Sequence, residues 1–216
     1  MGIRTETISV NKLASLIYKL LKSDRDVVFG VAGFTGEGKS TFIIKMVQAY
    51  CKLAKIKFTF DFLTWSRAEM LKWIDGEGEG KTGQLPEFYP IVPDELFRMF
   101  YKRLWYDKKQ IDAISVLNMC RDRHLFIIGA IPNFWDLDKS FNKRVRFYAY
   151  ITTRGEAFVF QQENNPFVFD VWNVQDNQKL FRSGKISNSP NFLFKVDYGD
   201  LTEEEKVQYL EIRNRK

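Results

Sequence analysis

The spacing of apolar residues changes period several times along the chain. Residues 10–21 (V-N-K-L-A-S-L-I-Y-K-L-L) place them every three to four positions, which predicts an amphipathic helix. Residues 26–32 form a short, nearly continuous apolar run of the kind seen in a strand buried on both faces. Helical spacing returns over 41–51. Residues 57–63 alternate and predict a strand, and 66–74 predict a helix. Ser66 is placed to cap that helix, with Glu69 three residues on to complete a capping box. Residues 88–93 lead an apolar segment into Asp94 and Glu95. Helical stretches near 96–106 and 111–123 follow, then an apolar strand over 125–131 and a short helical turn over 137–143. From Val145 the period falls toward two, and 145–153, 156–161, 167–174 and 192–196 read as strands. Residues 201–216 predict a charged final helix capped by Thr202, with Glu205 at the capping-box position.

Alternating strands and helices followed by a strand-rich tail predict an α/β fold with a mostly parallel central sheet and an antiparallel β extension near the C-terminus. The chain reads as a single domain of four parts: an N-terminal helix (1–24), a core (25–135), a strand-rich extension (136–200) and a C-terminal helix (201–216). Residues 75–84 (D-G-E-G-E-G-K-T-G-Q) carry four glycines among alternating charges and read as a loop.

Composition narrows the picture a little. Of the 216 residues 20 are Phe, 9 Tyr and 5 Trp, which implies a core packed largely with rings. No apolar run approaches the roughly 18 residues of a membrane-spanning helix, and the N-terminus lacks a signal-peptide core. A cytoplasmic protein is expected, in the host cytoplasm if a virus or plasmid encodes it. Cys51, Cys120 and the single His124 form no metal-ligand or disulfide pattern. A net charge of +6 suits a nucleic-acid partner without requiring one.

The candidate chemistry lies at 33–40, G-F-T-G-E-G-K-S, followed by Thr41. This fits G-x-x-x-x-G-K-[ST], the phosphate-binding P-loop. Successive backbone amides cradle phosphates, and glycines at Gly33, Gly36 and Gly38 let the loop curl into that nest. The loop, Glu37 included, joins the 26–32 strand to the 41–51 helix, so a helix N-terminus opens at the phosphate position. Lys39 reaches the terminal phosphates, Ser40 offers its hydroxyl to Mg²⁺, and Thr41 opens the helix. The expected fold is therefore a P-loop NTPase three-layer sandwich binding ATP and Mg²⁺. No guanine-specifying N-K-x-D appears, which tilts the nucleotide toward ATP while leaving GTP open.

Hydrolysis needs a carboxylate near the end of a neighbouring strand to hold the metal, and a second acid to activate water. Asp94 and Glu95 are placed for these two roles, with Asp61 an alternative for the first. Pro90 and Pro93 demand that the preceding strand be short or end at Pro93.

The segment 118–133, N-M-C-R-D-R-H-L-F-I-I-G-A-I-P-N, resembles the arginine-then-strand segment of the FtsK–HerA family of DNA-translocating ATPases. The next segment, from Phe134, resembles compact relatives in viruses and plasmids, some labelled packaging ATPases or zonula occludens toxin-like. The resemblance covers about residues 25 to 160. It implies that Arg121 acts in trans as an arginine finger, with Arg123 a substitute. It also implies that Asn133 stands where a γ-phosphate-sensing residue, usually glutamine, is found. Further implications are DNA as partner and a ring-shaped homo-oligomer. Arg144, Arg146 and Arg154 are open to DNA, to a neighbouring subunit, or to solvent. The leading reading is an ATP-hydrolysing motor on DNA, of the translocation or genome-packaging type. The alternative is a nucleotide-gated assembly or membrane-adaptor protein with little hydrolysis.

Overall fold

The computed structural model describes residues 6–75, 86–94, 108, 123–131, 134, 137, 139–165 and 167–215. Most of the predicted 75–84 loop, the helical stretches predicted between 96 and 122, and Cys120 lie outside them.

Among the described residues eight strands make one sheet. At its centre β2 (Val27–Ala32) is buried along its whole length. It pairs in parallel with β5 (Phe126–Ala130) on one side and β6 (Val145–Thr153) on the other. Past β5 come β4 (Pro90–Pro93) and β3 (Leu63–Thr64), also parallel. Past β6, β7 (Glu156–Gln161) and β8 (Phe192–Asp197) each run antiparallel to the strand before. At the far edge β1 (Thr7–Ser9) lies parallel to β8, a strand too short to show in the sequence pattern. The order is β1-β8-β7-β6-β2-β5-β4-β3.

Among the described residues the helices are α1 (Val10–Lys22), α2 (Lys39–Ala54), α3 (Arg67–Asp75), α4 (Lys139–Asn142), α5 (Val174–Arg182) and α6 (Glu203–Arg215). Leu13, Ile17 and Leu21 of α1 and Phe42, Met46 and Tyr50 of α2 are fully buried, each stabilising the fold by about 1.5–3 kcal/mol. Alternation along β6 sorts two ring clusters onto opposite faces. Phe147 stacks on Phe29 (5.8 Å between centroids), which meets Phe42 of α2 at 6.2 Å. On the other face Tyr148 meets Phe134 (4.6 Å), and Tyr150 meets Phe181 of α5 (5.4 Å). Rings thus pack against both faces of the sheet, and the layers are three.

Proline shapes β4. The strand is interior yet has a proline at each end, so only Ile91 and Val92 carry amides within it. The next amide, Asp94 N–H, completes the pairing by donating to Thr64 O at 2.9 Å.

Two expected strands are corrected. Over 57–63 the chain forms a 3-10 turn, Phe60–Phe62, and only Leu63–Thr64 joins the sheet. Thr59 Oγ1 accepts from Asp61 N at 3.2 Å, a side-chain turn that competes with extension. Over 167–174 Asn165 and Asp170 do the same: Asn165 Oδ1 accepts from Phe167 N (3.0 Å), and Asp170 accepts from Trp172 N (3.1 Å) and Val174 N (2.7 Å). Val174 then begins α5 instead of ending a strand.

Candidate functional site

The carboxyl ends of β2, β4 and β6 open on one edge of the sheet, the place where open α/β folds present ligand sites. The P-loop follows β2, Asp94 follows β4, and Arg154 follows β6.

Gly38 stands in the left-handed region (φ 97°) as the cap of α2, offers no side chain to the helix, and is followed by a first turn without acids. The opening amides of α2 therefore keep their capacity for an anion. Lys39 Nζ lies over the loop and donates to Gly33 O and Phe34 O, both at 2.9 Å. Burial lowers its pKa, and the nearby Glu37 charge works against that shift. Glu37 accepts from Phe34 N at 2.7 Å and so braces the loop. A second anion gains nothing from this carboxylate, so what Glu37 can offer a phosphate is its backbone amide. Thr41 is buried, so what it can offer a phosphate is its amide, one of those that open α2.

Ser40 and Asp94 meet around a third residue. Tyr209 Oη, from α6, lies 3.0 Å from Ser40 Oγ and 3.4 Å from Asp94 Oδ1. Burial raises the tyrosine's pKa, with the Ser40 hydrogen bond opposing and the Asp94 charge adding to the rise. A hydroxyl and a carboxylate held by the same phenol are hard oxygen donors of the kind Mg²⁺ takes. Among the described residues no group of three or more His, Cys, Asp or Glu forms a rival metal site.

A second tyrosine and an arginine flank the loop. Tyr198 Oη lies 3.2 Å from where a Cβ on Gly38 would stand, and Arg154 Cγ lies 3.7 Å from it. Tyr198 is buried, and its hydroxyl lacks a hydrogen-bond partner of ordinary geometry among the described residues. Arg154, at the β6–β7 turn, pairs with Asp200 at 3.2 Å.

Two of the arginines singled out from the sequence lie elsewhere. Arg123 and Arg144 precede β5 and β6, at the opposite end of the strands from the P-loop. Arg123 donates to the carbonyl of Ile74, and Arg144 forms an ion pair with Asp26. Arg144's side chain is only 8% exposed, so it does not present a surface for DNA. Asp61 precedes β3 instead of ending it and takes a hydrogen bond from Thr59 Oγ1 (2.7 Å), which removes it from the metal site. Glu95, Arg121 and Asn133 lie outside the described residues.

Sequence reasoning missed Tyr198 and Tyr209. Glu205 and Tyr209 are one helical turn apart, and Glu205 contacts α2, so the pair marks the docked face of α6. That spacing was the signal available for Tyr209. Nothing local marks Tyr198.

The octapeptide, the strand–loop–helix unit around it and the parallel order β6-β2-β5-β4-β3 define an α/β P-loop NTPase fold. No protein-family profile and no curated protein sequence matches the chain. Solved structures similar to it include the N-terminal domain of zonular occludens toxin from Neisseria meningitidis. The identity is 13%, over 83% of this chain and 96% of that one, with a TM-score of 0.44. Another is the genome packaging NTPase B204 from Sulfolobus turreted icosahedral virus 2 in complex with ATP-gammaS, at 11% identity, 63% and 92% coverage and a TM-score of 0.42. A third is a chain of the E. coli MS115-1 HORMA:CdnC:Trip13 complex, at 11% identity and a TM-score of 0.43, with 65% of this chain covered and 61% of that one. Likeness at this level carries no argument about chemistry; the fold class rests on the loop and the strand order.

Proposed function

We propose that this chain is a Mg²⁺-dependent ATPase working as a motor on DNA, of the translocation or genome-packaging type, within a ring of identical subunits. One observation carries the enzymatic part: the P-loop hydroxyl of Ser40 and the carboxylate of Asp94 converge on one point, 3.0 and 3.4 Å from the same phenol oxygen. A metal-holding pair at the mouth of a phosphate-binding loop is what phosphoryl transfer to water requires.

In this reading the opening amides of α2 hold the phosphates, and Lys39 exchanges the carbonyls of Gly33 and Phe34 for the terminal phosphates. Ser40 and Asp94 hold Mg²⁺, which when bound spreads the phosphates' negative charge. Glu95, beside Asp94 in the chain, accepts the proton of the attacking water. Arg121 from a neighbouring subunit stabilises the charge that develops, and Asn133 senses the γ-phosphate. These last three roles, like DNA and the ring, rest on chain order and family resemblance. All four segments, with boundaries at 24, 135 and 200, serve one domain.

The test is ATP turnover with and without DNA in wild type and variants. Lys39→Ala is expected to abolish turnover, and Glu95→Gln to reduce it about a hundredfold or more, the usual scale for a catalytic base. Phe167 and Phe169, 94% and 101% exposed, favour a second reading in which nucleotide gates an assembly and hydrolysis is incidental. Glu95→Gln would then leave biological activity intact.

A further inference from the structure

We propose that α6 latches the metal site shut through Tyr209, so that magnesium-nucleotide binds only when this hydroxyl withdraws. The inference rests on the reading of Ser40 and Asp94 as the metal-holding pair. Mg²⁺ holds oxygen ligands at about 2.0–2.1 Å in an octahedron, so adjacent ligands lie about 3 Å apart. Tyr209 Oη, 3.0 Å from Ser40 Oγ and 3.4 Å from Asp94 Oδ1, therefore takes up on both groups the positions that a hydrated ion would need. Tyrosine hydroxyl and hydrated metal compete for the same two partners.

The way α6 is held makes it a latch and not a wall. Glu205 accepts from Lys45 Nζ (3.0 Å) and Gln48 Nε2 (2.6 Å) of α2. Tyr209 follows one turn later on the same face, and Ile212 packs partly against the core. The apolar residues between them face away, Val207 54% and Leu210 50% exposed, and the helix begins with three glutamates. Helix α6 thus docks through polar contacts, one ring and the partly buried Ile212, a hold that ligand-binding energy can overcome. The link to the P-loop is short: Tyr198, just before α6, packs edge-on against Phe42 of α2 at 5.1 Å.

The experiment measures calorimetric binding of the slowly hydrolysed analogue ATP-γ-S to the full chain, with Mg²⁺ and with EDTA. Wild type, Tyr209→Phe, Glu205→Gln and Lys39→Ala are compared, and amide hydrogen exchange is followed over Glu203–Arg215. Tyr209→Phe keeps the ring and removes the competing hydroxyl. It is expected to tighten magnesium-nucleotide binding about fivefold, the scale of one hydrogen bond, and to leave binding in EDTA unchanged. Glu205→Gln, which weakens the second anchor, is expected to shift affinity the same way by less. In wild type, magnesium-nucleotide is expected to speed exchange across α6. Unchanged or weaker binding by Tyr209→Phe, or added protection of α6, overturns the latch. If wild type binds and Lys39→Ala does not, that failure touches the latch alone. If wild type and Lys39→Ala both fail to bind, the P-loop reading falls and the latch falls with it.

Discussion

At the scale of single residues, backbone geometry separates glycines that the octapeptide presents as equivalent. A Cβ on Gly33 would meet Ile151 Cβ at 2.9 Å and the Ile151 carbonyl at 3.2 Å, whereas one on Gly36 would meet nothing within 4 Å among the described residues. Gly36→Ala therefore adds only left-handed strain (φ 88°), about 1–2 kcal/mol. Gly33→Ala adds a clash with β6 and should cost about 1–3 kcal/mol more. Urea midpoints compare the two directly; equal losses would refute the contact. Cys51 supplies a pH test. Burial pushes its thiol from 9.0 up to about 12. Raising an acid's folded pKa favours the folded state below the unfolded value, so this contribution is present below pH 9 and is lost as pH rises toward 12. The denaturation midpoint should fall between pH 8 and pH 10.5, and a Cys120→Ser protein should resist thiol reagents at pH 8 until it is unfolded. The octapeptide was legible because its chemistry is local. The spacing marked Tyr209 as docked but not what it touches, because its partners, Ser40 and Asp94, are far away in the chain.

At the scale of elements, helix starts were readable and some strands were not. The capping box at Thr202 and Glu205 is reciprocal: Thr202 Oγ1 accepts from Glu205 N (3.2 Å), and Glu205 Oε2 accepts from Thr202 N (2.8 Å). At α3 the same pattern closes one residue earlier, Glu69 accepting from Trp65 N at 2.8 Å while Ser66 Oγ accepts from Glu69 N at 3.1 Å. Thr202→Ala should cost about 1 kcal/mol, a fall in Tm of roughly 2–4 °C. Burial pushes the Glu205 carboxyl up, but the Thr202 amide, Gln48 and Lys45 outweigh it and hold the group below the ordinary 4.5. A depressed carboxylate stabilises the fold above the unfolded value and ceases to do so as pH falls through the folded one. Docking of α6 should therefore weaken below about pH 4.5, visible as faster amide exchange over its residues, and Glu205→Gln should remove that dependence. The segments 57–63 and 167–174 had the alternation of strands and still formed turns. Alternation records which side chains are apolar, while Thr59, Asn165 and Asp170 decide where the backbone amides go.

At the scale of the whole molecule, the α/β class and its order of elements follow from the changes of hydrophobic period. The position of β1 at the sheet's edge depends on β8, from the other end of the chain, and no local pattern carries such a pairing. The same holds for the arginines. Arg154 comes from the β6–β7 turn to lie beside Gly38, whereas Arg123 and Arg144 are engaged at the opposite edge. Arg121→Ala in this account lowers turnover by about a thousandfold while sparing binding, as expected of a group supplied from outside. Mixing Arg121→Ala with Glu95→Gln protein should restore part of the activity that each lacks alone, since a mixed interface pairs an intact base with an intact arginine. The account is tested most directly by the rate of ATP hydrolysis measured across protein concentration, with Mg²⁺, and with double-stranded, single-stranded or no DNA. It predicts Mg²⁺-dependent turnover that DNA stimulates and that rises more steeply than protein concentration. Wild-type turnover no greater than that of Lys39→Ala under every condition would contradict it.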